Sequence, residues 1–298
     1  MQKELIHVEV LANFGFEVEV VDESKRQYRC LVKKSLARLV VGDKVQAQRH
    51  NEELELLKRL PRKNLLTRQV GKTRNTQLFI ASNLDCIFIV CSPIPAMGNR
   101  FIDAIIIAAE QQKIKPILLL NKSDLEEFTV WQKEIYEYYQ NTTLPFFSVS
   151  ALNPDTLTDI KEEINGKKSL FIGASGVGKS TLLNTLIGKK YAKTQELSSH
   201  SQQGKHTTSN SICYQLDEIT QIIDMPGIRT FNLGSYDNIE AGYPDLSGYW
   251  EKCQFRNCQH NQEPNCALQD AVKKGEIVEQ RLLSYVDFKL LSEHSKGY

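Results

Sequence analysis

Residues Gly173, Ala174, Ser175, Gly176, Val177, Gly178, Lys179 and Ser180 have the spacing G-x-x-x-x-G-K-S, with the apolar run SLFI before them and TLLNTLIG after them. Glycines at those intervals let the backbone wrap closely, so that successive N–H groups and a helix N-terminus face a phosphate. Lys179 is placed to reach the β- and γ-phosphates of a nucleotide, Ser180 to ligate Mg²⁺ and Thr181 to touch the α-phosphate region. A second motif, Asn121-Lys122-Ser123-Asp124, ends the apolar run PILLL. The Asp124 carboxylate can accept hydrogen bonds from N1–H and the 2-amino group of guanine, donors that adenine lacks. Such a site rejects the wrong base, whose contacts leave buried polar groups unpaired. Asn121 is expected to brace this loop and Lys122 to lie along the base plane. A third, Ser150-Ala151 at the end of FFSVSA, offers the Ala151 N–H to guanine O6, with Ser150 supporting the turn.

Asp224-Met225-Pro226-Gly227 ends the run QIID and fits D-x-x-G, in which Asp224 holds Mg²⁺ through water and the Gly227 N–H meets the γ-phosphate, a catalytic contact alongside that of Lys179. Between the phosphate loop and D-x-x-G runs a polar stretch from Lys193 to Asn210. Thr208 or Thr207 is expected to complete Mg²⁺ coordination there, and the stretch to order with GTP and loosen after hydrolysis. The base-reading motifs precede the phosphate loop, whereas ordinary small GTPases begin with it. One site can still form, because new termini at an exposed loop leave core packing intact. The position after Gly227 is Ile228; where many GTPases place a water-orienting glutamine, this side chain cannot hydrogen-bond water, and slow intrinsic turnover follows.

Cys253, Cys258, His260 and Cys266 lie within fourteen residues. Three thiols and an imidazole are a standard tetrahedral zinc set, and closure of all four positions by protein marks a structural site. The spacing contains no C-x-x-C redox pair. Cys30, Cys86, Cys91 and Cys213 stand singly in apolar or alternating runs and read as small buried hydrophobes.

Three kinds of element must position these residues. Up to about residue 63 the chain alternates apolar and polar residues in short runs (LIHVEVL, FEVEVV, YRCLV, KVQAQ), the signal of about five antiparallel strands in a small β-barrel. An oligonucleotide-binding (OB) barrel is one candidate among several. CIFIVCS, PILLLNK, FFSVSA, SLFIGAS and QIIDMPG then read as buried strands, with RFIDAIIIAAEQQ, TVWQKEIYEYYQ and STLLNTLIG as helices between them. That is the rhythm of a doubly wound α/β domain with a mostly parallel sheet, whose ligands bind at strand carboxyl ends. Strands are expected to stop after Phe231, leaving a cysteine-rich, mainly helical tail. The expected division is 1–63, 64–232 and 233–298, with zinc substituting for the core that so short a tail can hardly build.

The 298 residues, 41% hydrophobic and 24% charged with a formal charge of +1, exclude a disordered or fibrous chain and leave net charge uninformative about partners. From Leu56 to Leu84, however, Lys58, Arg59, Arg62, Lys63, Arg68, Lys72 and Arg74 occur without one acid. This balance suits a phosphate backbone or, alternatively, a solvated linker face. Neither a secretory signal pattern nor an apolar run long enough to span a bilayer is present, so a cytoplasmic, membrane-free protein with reduced thiols is expected.

The short β-barrel, the motif order NKSD, SA, GASGVGKS, KHTT and DMPG, and the C-x4-C-x-H-x5-C tail together resemble the ribosome small subunit-dependent GTPase A family of bacteria. The resemblance covers essentially the whole chain and extends to VVGDKV at 40–45 and GEIxxxRLLSY at 275–285, where Leu282 departs from an expected aromatic. It implies a barrel that touches ribosomal RNA and a GTP hydrolase, acting as a monomer, that assists late maturation of the small ribosomal subunit and is stimulated by it. It also makes His206 the nearest candidate to replace the missing glutamine, the alternative being a loop histidine that contacts RNA or nothing. The competing reading is an RNA-binding assembly chaperone whose hydrolysis is incidental; a metabolic P-loop ATPase is opposed by Asn121 to Asp124.

Overall fold

In a computed structural model, which describes residues 4–36, 38–50, 53–70, 77–188 and 211–296, the N-terminal runs form β1 (Glu4–Asn13), β2 (Glu17–Asp22), β3 (Gln27–Leu31), β4 (Lys44–His50) and β5 (Glu53–Arg59). β1 pairs with both β2 and β4, β2 with β3, and β4 with β5, while β3 and β5 lie side by side. That closed cycle of five antiparallel strands is an OB-like barrel. Alternation turns Val8, Val10, Val18, Val20, Cys30, Val45, Ala47 and Leu56 inward to a core of the barrel's own.

A hairpin the sequence reading did not anticipate follows, β6 (Leu65–Gln69) and β7 (Gln77–Ser82). Then come the parallel strands β8 (Cys86–Cys91), β9 (Lys115–Leu120), β10 (Phe146–Ser148) and β11 (Lys168–Gly173). Next are β12 (Ile212–Gln215) and β13 (Gln221–Asp224). The sheet runs β10-β9-β8-β11-β13 in parallel, turns antiparallel at β12, and continues through Ala12↔Ile212 into β1 of the barrel. A register shift between Val10 and Ala12 lies where β1 passes from one pairing to the other; the added twist of a bulge lets one strand serve both. β8 and β11 are buried along their whole length, as strands covered on both faces must be. Cys86 and Cys91 are inside them, and Cys30 and Cys213 are buried too.

The α-helices among the described residues are α1 (Asn99–Gln111), α2 (Phe128–Tyr139), α3 (Thr158–Ile164), α4 (Lys179–Ile187), α5 (Ser247–Trp250), α6 (Ala267–Lys273) and α7 (Glu279–Lys296). Strands do not stop at Phe231: β14 (Asn232–Leu233) pairs antiparallel with β6. Two residues carry no readable periodicity, so the expectation fails there for want of signal. The tail also lacks a core of its own, since Tyr243, Leu246, Cys258, Cys266, Leu268, Leu282 and Tyr285 join the same apolar cluster as the central sheet. α7 packs on α1 and α2, and the buried Arg281 guanidinium donates to Asp103 Oδ1 of α1 at 2.7 Å, to Asp245 and to the Gly242 carbonyl.

Not all of the basic stretch faces solvent. Arg62 grips the fully buried Asp43 with two hydrogen bonds, Lys63 pairs with Asp85, and Arg68 donates to the Thr230 carbonyl. Lys58 and Arg59 remain exposed, whereas Lys72 and Arg74 lie outside the described residues. Asp43 also accepts from Ser82 and from Val40 N, which gives VVGDKV its place as the junction between barrel and sheet.

Candidate nucleotide site and metal centre

The four motifs leave the carboxyl ends of β9, β10, β11 and β13, all in one parallel sheet with β8 between β9 and β11, so the permuted chain order still brings them to one edge. Asn121, fully buried, joins three of them: its Nδ2 donates to Val177 O of the phosphate loop at 2.9 Å, and its Oδ1 accepts from Ala151 N at 3.0 Å. The Ala151 N–H expected to serve guanine O6 is therefore already engaged, and a base would have to share it. Lys122 donates to Gly176 O at 2.9 Å, Ser123 N to Val149 O, and the Ser150 hydroxyl to Asp124 Oδ1. Gly178 precedes α4 with φ +89°, and a Cβ there would stand 2.4 Å from Asn121 Nδ2. Only glycine accommodates both the left-handed backbone and that approach.

At the phosphate end, the strand β11 and the turn after it place Gly173 and Val177 inside, Ala174 and Gly178 half-buried, and Ser175 and Gly176 exposed. Ser180 and Thr181 are exposed on the first turn of α4, where unpaired N–H groups and the positive end of the helix favour an anion. Lys179 is buried and donates to Asp224 Oδ1 at 2.9 Å. The sequence reading assigned the two to a phosphate and to Mg²⁺; the structure puts cation and carboxylate in direct contact, each close enough to exchange the other for those charges. The D-x-x-G turn lies flat on the loop: a Cβ on Gly227 would meet Ser175 Cα at 2.9 Å, and Ile228 N donates to Gly173 O at 3.2 Å. Ile228 is itself buried and offers nothing to a water. His206, Thr207 and Thr208 lie outside the described residues.

Two threonines that no motif flagged hold the Ser150-Ala151 turn. Thr156 Oγ1 accepts from Ser150 N at 3.1 Å, and Thr185 Oγ1, on α4, donates to Ala151 O at 2.8 Å. A threonine in a helix or after a turn carries no sequence signal of such a role.

Cys253, Cys258, His260 and Cys266 come together as predicted, every ligand atom within 4.8 Å of the others. Cys253 Sγ and Cys266 Sγ each stand 3.5 Å from His260 Nδ1, and 4.0 Å from one another. A tetrahedron with zinc–sulfur and zinc–nitrogen bonds of ordinary length has edges of about 3.6–3.8 Å, so the four fit that ion. Burial, and then Lys289, lower the His260 pKa to about 4, keeping the imidazole in the neutral, ligating form. Gln269 donates to His260 O and Lys289 to Cys258 O, which orients the loop.

A family model described as RsgA GTPase matches residues 59–234. Among similar proteins, the small ribosomal subunit biogenesis GTPase RsgA of Pseudomonas putida is 36% identical over 286 residues, covering 93% of this chain and 82% of that protein. Its namesake in Pseudomonas aeruginosa is 36% identical over 282 residues, covering 93% and 83%. Among solved structures, YjeQ from Thermotoga maritima superposes with a TM-score of 0.73 at 25% identity, over 97% of this chain and 99% of that one. YloQ, described as a circularly permuted GTPase, shares the fold with a TM-score of 0.71 at 22% identity, over 99% and 97%. With its nucleotide motifs assembled in permuted order and its sequence matched at that level along nearly its whole length, this chain belongs to the RsgA GTPase family.

Proposed function

We propose that this GTP hydrolase binds the small ribosomal subunit and assists its late maturation, with hydrolysis stimulated by the subunit. The observation that carries the reading is the Asn121 junction, which ties both base-reading motifs to the phosphate loop, in a chain whose relatives are named for small-subunit biogenesis. In this reading Gly173 to Thr181 cradle the phosphates. Asp124 and the Ala151 N–H select guanine, the latter shared with Asn121. Lys179 trades Asp224 for the β- and γ-phosphates, and Asp224, Ser180 and Thr208 or Thr207 hold Mg²⁺, which when bound neutralises charge building on the transferred phosphoryl group. Gly227 N–H senses the γ-phosphate, and His206 orients the attacking water once the subunit has ordered its loop. The barrel, residues 1–63, contacts ribosomal RNA; residues 64–232 form the GTPase unit; zinc organises the 253–266 loop of residues 233–298. The protein acts as a monomer in the cytoplasm, a location supported by the ribosomal partner; no described helix is long and apolar enough to cross a membrane. The deciding experiment is multiple-turnover GTP hydrolysis with and without purified small subunits. Strong stimulation is expected, and an unchanged rate would favour the assembly chaperone whose hydrolysis is incidental, a reading kept in view by the buried Ile228.

A further inference from the structure

We propose that Thr185, one turn into the phosphate-loop helix, is a positioning residue for guanine recognition, holding the turn that presents the O6-facing N–H. The inference rests on the assignment of Ser150-Ala151 to guanine and goes beyond it. Thr185 Oγ1 has one proton and two acceptors in reach: Ala151 O at 2.8 Å and Thr181 O, one turn back in its own helix, at 3.1 Å. A helical threonine commonly back-bonds to the carbonyl four residues earlier, and that bond alone would leave Thr185 with no part in the site. The shorter bond runs instead across to the base-reading turn.

Around that turn the backbone is tied to three other segments of the chain. Ala151 N donates to Asn121 Oδ1 from the loop after β9, Ala151 O accepts from Thr185 on α4, and Ser150 N donates to Thr156 Oγ1 in the 3-10 turn before α3. Ser150 Oγ in turn holds the Asp124 carboxylate. Asp124 is held by Ser150, whereas Ala151 is held at its N–H by Asn121 and at its carbonyl, in the peptide that follows, by Thr185. The Thr185 bond meets the turn at Ala151 and the bond to Asp124 leaves it at Ser150, so the two ends of the turn have separate contacts.

The separation gives a test with internal controls. Equilibrium binding of the full-length protein to GDP, 6-thio-GDP and IDP is compared for the wild type, Thr185→Val and Thr185→Ser. 6-Thio-GDP keeps N1–H and the 2-amino group but replaces the O6 acceptor with sulfur; IDP lacks the 2-amino group and keeps O6. Thr185→Val preserves shape and loses the hydroxyl. It is expected to weaken GDP about three- to tenfold, as for one lost hydrogen bond, to narrow the preference for GDP over 6-thio-GDP, and to leave the GDP/IDP ratio unchanged. Thr185→Ser should restore the wild-type pattern. Equal weakening toward all three nucleotides, or unchanged GDP binding, overturns the proposal. A wild-type protein indifferent to the O6 substitution would instead refute the guanine assignment of the turn on which the proposal stands.

Discussion

Asp124 holds its carboxylate through the Ser150 hydroxyl, and base choice should turn on that group. Asp124→Asn keeps an oxygen for Ser150 but presents a donor where the guanine edge needs a second acceptor. GTP affinity should fall about tenfold to a hundredfold, as for a lost hydrogen bond to a charged group, while xanthosine triphosphate gains; competition binding with the two nucleotides measures both, and unchanged GTP binding refutes the assignment. Catalysis should part from binding at His206. With Ile228 buried and unable to orient water, His206→Ala is expected to bind GTP nearly normally yet lose subunit-stimulated turnover on the order of 10²-fold. Lys179→Ala, which removes the partner of Asp224, should damage both. Full stimulated turnover in His206→Ala would make the histidine a bystander.

At the scale of elements, the phosphate loop is shaped by what packs on it from other strands. Gly178→Ala must strain a backbone at φ +89° and push the new methyl into Asn121 Nδ2. Because Asn121 also holds Ala151, the substitution should cost about 1–3 kcal/mol of stability and weaken GDP binding as well. Thermal melting and nucleotide titration would show the two losses together, and a mutant with wild-type GDP affinity contradicts the junction role given to Asn121. The cysteine loop obeys a different logic, since in the proposed reading its order comes from a metal-ligand set. Freshly purified protein should contain about one zinc per chain. Cys258→Ser should lose the metal and loosen the 253–266 loop, with GDP binding largely kept because, among the described residues, the nucleotide motifs share no hydrogen bond with that loop. Metal analysis showing no zinc in the wild type would end the assignment.

Across the whole molecule, barrel, nucleotide sheet and tail are mechanically continuous. β1 belongs to both barrel and sheet, and the segment after D-x-x-G runs through Thr230, which accepts from Arg68, into β14 on the β6–β7 hairpin. The tail is fastened by Arg281, whose guanidinium also stacks 4.2 Å from the Tyr243 ring, while Tyr138, Tyr139 and Ser284 donate to the same Asp103 carboxylate. Burial first, and then the Asp103 charge, raise the Tyr139 phenol far above its usual pKa, so it stays a donor. Removing one member of such a buried set strands the opposite charge. Arg281→Met should destabilise the protein by about 3–5 kcal/mol, and adding Asp103→Asn should recover part of that loss in urea unfolding; strictly additive losses would show that the two residues do not act as a pair.

The chemistry was legible in the residues because it is local. A phosphate loop needs its glycines and lysine at fixed intervals, a guanine-reading motif needs its aspartate just past a strand end, and a zinc loop needs four donors within a short stretch; each pattern is written by neighbours in the chain. Strand and helix periodicity likewise marked the barrel strands and β8, β9, β11 and α1. Long-range pairing carried no such mark. That Ala151 N–H donates to Asn121, that Lys179 meets Asp224, that Arg62 is spent on Asp43 instead of a phosphate backbone, and that the tail draws its core from α1 and α2 all depend on side chains distant in sequence. A polar residue reads alike whether it faces solvent, a ligand or another residue's charge. Only the packed chain, by fixing which donors and acceptors have been removed from water together, decides among the three.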